Sequence, residues 1–485
     1  MAFPLRASLA TATAAALTGG LLTLTTAGTA SAAAAEYADD FNGDGYRDLV
    51  TAAPMATVGD VTYAGAVVVN YGSASGISAA RRTVITQRTS GIPGTPEERD
   101  EFGSALASGD LDNDGYADLV VGSEQEGVGS DADSGTVVVI WGSASGLLGG
   151  LTVADPAASA GAEWGKSLAV GDFSGDGKAD LAVGGTGKDI WIHQGGFTKA
   201  SGAASRYELA TDLYAPGSSN HGAQNLAAGD IDGDGADDLV VSGQYHPETS
   251  GTWDDGTLVY LGSASGLAFQ TFLKSDAWER AAVGDLNADG YADVVTSAAP
   301  GSARAGDGGS VSAYLGSTSG VRTQRQTVDQ DTPGVPGVSE DEDWFGHAFS
   351  VGDVDGDGYA DVAVGAIYEK VGDAHQTGSV TVLRGAATGL TGTGAQAIHQ
   401  ATAGVPGAAE ANDFFGSAVR LADLDGDGRA DLSVGAAGEN DANGALWSLR
   451  GSSSGVTTTG ALSFGPSAVG VSTSGYPRLG FNMLR

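Results

Sequence analysis

With 485 residues, 41% of them hydrophobic, the chain is too apolar to be disordered, and its 79 glycines point to many turns between short strands. A formal net charge of −37 excludes nucleic acid as a partner and disfavours anionic membranes, because phosphate is held by Lys and Arg. There is no cysteine, so disulfides, thiolate metal sites and a lipid-anchored cysteine are ruled out.

In chain order, residues 1–32 read as a secretory signal peptide. Arg6 supplies the positive start, residues 9–24 a mostly apolar run, and Ala30-Ser31-Ala32 a small-residue cleavage site. Secretion to an extracellular location is therefore expected. No later run is long and apolar enough for a transmembrane segment. Without an Asn-x-Ser/Thr site, N-glycosylation is not expected.

Residues 33–485 carry one nine-residue pattern seven times, at 40–48, 110–118, 172–180, 230–238, 285–293, 353–361 and 423–431. Asp stands at position 1 (Asp40, Asp110, Asp172, Asp230, Asp285, Asp353, Asp423). An oxygen side chain stands at position 3 (Asn42, Asp112, Ser174, Asp232, Asn287, Asp355, Asp425). Asp returns at position 5 (Asp44, Asp114, Asp176, Asp234, Asp289, Asp357, Asp427), always followed by Gly. It returns again at position 9 (Asp48, Asp118, Asp180, Asp238, Asp293, Asp361, Asp431). Ca²⁺ takes six to eight oxygens, so alternate inward carboxylates around a sharp turn suit it. Gly at position 6 permits that turn. Position 7 would offer only its backbone carbonyl, so its side chain varies: Tyr46, Tyr116, Lys178, Ala236, Tyr291, Tyr359, Arg429. Up to seven Ca²⁺ ions are expected, with a structural role, and the Ser174 loop is expected to be the weakest.

The starts lie 55 to 70 residues apart. Within each interval four short apolar runs recur. The second repeat shows this most clearly: a run at 102–108, the loop, Leu119-Val-Val, the β-branched run 135–141, the turn Gly142-Ser-Ala-Ser-Gly146, and a weaker fourth run. The third repeat lacks that turn and is abbreviated around Trp191-Ile-His-Gln-Gly-Gly196. Four strands per repeat predict an all-β fold, a seven-bladed β-propeller. Position 12 is apolar (Val121, Val364, Val434) rather than Glu, which excludes an EF-hand. The first repeat has no leading strand. The C-terminal residues 479–485 resemble that strand without its loop, and are expected to complete blade one and close the ring.

Phe102-Gly103, Phe345-Gly346, Phe415-Gly416 and Trp164-Gly165, with the looser Ala52-Ala53-Pro54, Ala298-Ala299-Pro300 and Gly365-Ala366, resemble the FG-GAP repeats of integrin α-subunit propellers, in a secreted bacterial form. The resemblance implies calcium-loaded blades and a non-catalytic extracellular binding or cell-adhesion module. Related repeats also accompany a phospholipase D that cleaves glycosylphosphatidylinositol anchors. A hydrolase of that kind, or a polysaccharide lyase built on a calcium propeller, is therefore the alternative.

Alternating strand direction places the acidic loops and the three–four turns on one face. The variable stretches 54–64, 123–134, 243–255 and 366–377 then fall on the other, with Gly91-Ile-Pro-Gly, Gly334-Val-Pro-Gly and Gly404-Val-Pro-Gly. An extracellular protein or glycan ligand is expected there, with Tyr63, Tyr245, His246, Trp253, Tyr368 and His375 as candidate contacts. The chain is expected to act as a monomer. Gly451-Ser-Ser-Ser-Gly455 matches a nucleophile elbow but follows a third strand and precedes no helix, so it is read as a turn. A lyase would need Lys, Arg, His or Tyr clustered at the mouth of the central channel.

Overall fold

The computed structural model describes residues 35–129, 132–159, 161–216, 221–247, 253–275, 280–298 and 308–484. The signal segment 1–32 and the degenerate pair Ala277-Trp278 lie outside them. Among the described residues, 28 strands form seven four-stranded antiparallel sheets. In blade two the order is Ala105–Gly109, Asp118–Ser123, Thr136–Trp141 and Leu148–Val153, as neighbours in the sheet follow neighbours in sequence. Each acidic loop joins strands one and two, and position 9 begins strand two. The abbreviated third blade still has all four strands. The two α-helices among the described residues, Glu439–Ala442 and Pro466–Val469, have four residues each.

The ring closes as expected. The last strand, Asn482–Met483, pairs antiparallel with Leu49–Ala53 through Thr51↔Met483 and Ala52↔Asn482. Leu479-Gly480 occupies the place held by Phe-Gly in other blades. The amide of Gly480 donates to the Ala52 carbonyl at 3.2 Å, as that of Gly103 donates to the Gly122 carbonyl at 3.0 Å. Closure leaves no blade without its inner strand, which removes an unpaired edge.

The apolar core lies between blades. Val50, Val67 and Ile85 of blade one pack with Phe102, Val121 and Ile140 of blade two. Phe102, Phe345 and Phe415 are fully buried. At three junctions the glycines of the two motif elements meet: Gly122 with Gly165, Gly365 with Gly416 and Gly435 with Gly480. A Cβ on Gly122 would strike the Gly165 carbonyl oxygen at 2.2 Å, and one on Gly435 would strike that of Gly480 at 2.1 Å. Glycine is retained there because backbones touch.

Candidate metal centre and ligand face

Each acidic loop is built by its own side chains. The position 1 carboxylate gathers the amides of the turn: Asp353 accepts from Gly356 at 2.7 Å and Gly358 at 2.9 Å, and Asp423 from Gly426, Asp427 and Gly428 at 2.7, 3.1 and 2.8 Å. Position 6 glycines are left-handed throughout, for example Gly358 at φ 91°. Position 4 is left-handed as well, a feature missed from the pattern. It is Gly in five loops, but Asn113 (φ 55°) and Ala288 (φ 56°) in the others.

Carboxylate oxygens converge within 4.8 Å in four loops: Asp110/Asp112/Asp118, Asp230/Asp232/Asp234, Asp353/Asp355/Asp357 and Asp423/Asp425/Asp427. These are the four loops with Asp at position 3. The other three carry Asn42, Ser174 and Asn287 there. The donors are all oxygen, which fits a hard cation such as Ca²⁺. Asp112 Oδ1 is buried without a hydrogen-bond partner, as a metal-facing oxygen would be. Basic side chains border the loops. Lys199 Nζ lies 2.8 Å from Asp114, Arg384 Nη1 lies 3.1 Å from Asp355, and Arg450 Nη1 lies 2.9 Å from Asp425.

Position 9 does more than was foreseen. Its carboxylate is buried and braces two backbones. Asp48 accepts from Phe41 at 3.0 Å and from Gly72, the first residue of the three–four turn, at 2.9 Å. Asp118, Asp238, Asp293, Asp361 and Asp431 repeat both bonds. In blade three, where the turn motif is missing, Gly195 still donates to Asp180 at 2.6 Å. Burial pushes the carboxyls of Asp48 and Asp118 up to about 8, and those of Asp238 and Asp431 to about 7. A bound cation would favour their charged form.

The turns also link blades. Ser73 donates to the Leu424 carbonyl at 3.2 Å, Ser143 to that of Phe41 at 3.2 Å, and Ser452 to that of Val354 at 3.2 Å. The first of these joins blade one to blade seven. In Gly451-Ser-Ser-Ser-Gly455 the Ser452 hydroxyl donates to the Gly455 carbonyl at 2.6 Å, as Ser143 does to Gly146, so this segment is a turn.

On the opposite face, the structure brings together only some of the candidate residues. Tyr245 and His246 follow one another, and Trp253 stands across their hairpin. His246 and Trp253 both pack on Tyr214, at 5.5 and 6.1 Å between ring centroids. Tyr368 lies elsewhere, between Trp344 (5.2 Å) and Phe414 (5.7 Å). Tyr63 and His375 serve through their backbones, accepting from Glu101 at 3.0 Å and Asn412 at 3.1 Å. The Gly-x-Pro-Gly stretches cover three equivalent clusters that sequence reading did not find. Gln87, Gln330 and Gln400 donate through Nε2 to Glu126, Glu369 and Glu439 at 2.7, 2.6 and 2.5 Å. Buried Asp100, Asp343 and Asp413 stand beside them. The spacing is 39 residues each time, and that constancy was the available signal.

A cavity of about 800 Å³ runs along the propeller axis, lined by the first strands of the blades. Lys166, Arg280, His347, Tyr368 and Arg478 are among its lining residues.

The fold is a seven-bladed propeller, and the Asp triads in four of its repeated acidic loops are consistent with Ca²⁺ binding. A family model described as the FG-GAP repeat matches residues 33–69, 102–140, 164–200, 277–314, 345–383 and 415–449. The chain is thus an integrin α-like FG-GAP propeller, distantly homologous to integrin α subunits. It is 32% identical over 231 residues to integrin alpha pat-2 of Caenorhabditis briggsae, covering 42% of this chain and 18% of that one. It is 33% identical over 151 residues to integrin alpha-PS3 of Drosophila melanogaster, covering 29% and 13%. It is also 31% identical over 147 residues to a phosphatidylinositol-glycan-specific phospholipase D of Rattus norvegicus, covering 30% and 17%. The matches span less than a fifth of these relatives' length. No helix among the described residues is long and apolar enough to cross a membrane.

Proposed function

We propose that the protein is a secreted, calcium-stabilised binding or adhesion module whose ligand, an extracellular protein or glycan, docks on the face away from the acidic loops. The observation that supports this most is the division of labour between the faces. On one, position 9 carboxylates tie loop, turn and strand together seven times. The other carries loops of differing length and exposed aromatic rings such as Trp253. Variable loops on a rigid scaffold are where binding usually resides. Asp48, Asp118 and their equivalents, with positions 1, 3 and 5, would hold the ions, and the ions would supply charge compensation and cross-linking. Screening glycan and matrix-protein arrays with calcium and with EDTA tests this reading. Retention of a ligand in calcium and its loss on chelation is expected. Binding that persists after the fold is lost would refute it.

One observation favours the alternative of a polysaccharide lyase. Lys166, Arg280, His347 and Tyr368 line the same axial cavity, a set from which a base and charge-stabilising groups could be drawn. Incubation with acidic polysaccharides, read by the absorbance of unsaturated uronides, distinguishes the two. The binding reading predicts none.

A further inference from the structure

The seven acidic loops differ in what stands opposite their carboxylates. Blades two, four, six and seven carry Asp at position 3, one negative charge more than the Asn and Ser loops of blades one, three and five. In blade six a cation answers that charge. Arg384 ends the third strand, Ser379–Arg384, and its Nη1 lies 3.1 Å from Asp355 and 3.0 Å from Asp361. Its Nη2 donates to the Ser454 carbonyl at 3.2 Å, in the turn of the next blade, where a Cβ on Gly455 would strike it. Arg450 repeats the device in blade seven, with Asp425 at 2.9 Å and the Ser75 carbonyl at 2.6 Å. In blade two the third strand ends on Trp141, and Lys199 reaches over that ring, 5.9 Å from its centroid, to Asp112 and Asp114 at 3.3 and 2.8 Å.

Blade four has the acid without the base. Its third strand ends on Leu261, and among the described residues no basic side chain pairs with Asp230, Asp232, Asp234 or Asp238. Position 8 is Asp237 here, against Ala or Arg in the other loops, and places a fifth carboxylate next to position 9. Asp237 also braces the neighbouring loop, accepting from the Asp172 amide at 2.8 Å. The loop of blade five lacks a basic partner too, but its position 3 is the neutral Asn287.

Added carboxylate charge tightens a site for a hard cation. A fixed positive charge on the same oxygens loosens it, because the two cations repel and compete. The Arg384 side chain is only 12% exposed, so salt and water screen it poorly. We propose that Arg384, Arg450 and Lys199 are tethered cations that weaken Ca²⁺ binding in their loops, and that the unopposed carboxylates of blade four form the site that fills first and empties last. The inference rests on the calcium reading of the loops and ranks them. As calcium falls, the ring then loses its ions in stages, with blade four the last to hold one.

The test is a calcium titration of the decalcified full chain against a chromophoric chelator, counting ions by affinity class. The unaltered protein is expected to bind one ion at least about tenfold more tightly than the rest. Asp232→Asn, which copies the Asn of blades one and five, is expected to remove that tight step. Arg384→Leu, which copies Leu261, is expected to add a second tight ion, whereas Arg384→Lys keeps the count at one. A tight step that survives Asp232→Asn, an Arg384→Leu variant that gains no tight ion, or one affinity class for all ions overturns the proposal. Uptake in a single class leaves the calcium reading intact, while no uptake at all overturns both.

Discussion

Arg420 on the first strand of blade seven donates to Asp39 at 2.8 Å, joining residues 381 positions apart in the chain. Asp39 is 1% exposed and also accepts from Arg47 at 2.8 Å. The ion pair lies at the seam where the ring closes, beside the main-chain bond from Ser73 to Leu424. A buried carboxylate that loses one of two cationic partners keeps its desolvation cost. Arg420→Met should therefore destabilise the fold by about 2–3 kcal/mol, measured by denaturant unfolding.

Closure has a second consequence. Removing residues 479–485 takes away the strand Asn482–Met483 and bares the edge of Leu49–Ala53. Exposed apolar edges recruit other chains. Size-exclusion chromatography of the truncated protein should show oligomers or aggregates under conditions where the full chain is a single species.

Ala288 carries a left-handed backbone, φ 56°, at a position that is Gly in five loops. A Cβ in that conformation costs about 1 kcal/mol. Ala288→Gly should stabilise the protein by up to about 1 kcal/mol, offset in part by the freer unfolded chain, as read by melting temperature.

The seven acidic loops, the four-stranded repeat and the closing strand were legible in the sequence because each is local. Alternating carboxylates and a Gly at a fixed offset dictate a loop whatever surrounds it. The double role of position 9 was not legible. Asp48 looks like any other loop ligand until the turn at Gly72 is known to lie within reach. Blade three was read as abbreviated, yet Gly195 supplies the bond that the missing motif would have made. The Gln87, Glu126 and Asp100 cluster draws its members from two blades, so no local pattern announces it. In blade four the stretch 243–255 and its Tyr245, His246 and Trp253 were legible as candidates, but the stack of Trp253 on Tyr214 was not, because Tyr214 comes from the preceding connection.

Those clusters make stability pH-dependent. Burial, with a neighbouring Asp next in effect, pushes the carboxyls of Glu126, Glu369 and Glu439 up to about 7 from an ordinary 4.5. The charge of Asp100 beside Glu126, and of Asp413 beside Glu439, adds to burial in favouring the protonated glutamate. A raised folded-state value means that the folded form holds protons which the unfolded form releases. The contribution is complete below about 4.5 and is lost as pH rises through about 7. In saturating calcium, melting temperature should fall between about pH 5 and pH 8. Glu126→Gln, Glu369→Gln and Glu439→Gln together should flatten that slope.

The most direct measurement is a calorimetric melt of the same preparation in millimolar calcium and after exhaustive chelation. One ion at a hundred times its Kd stabilises by about 2.7 kcal/mol. Four convergent carboxylate triads should then lower the melting temperature by on the order of 10 °C when emptied. If the chelated protein melts no earlier than the calcium-loaded one, metal ions do not hold this ring together.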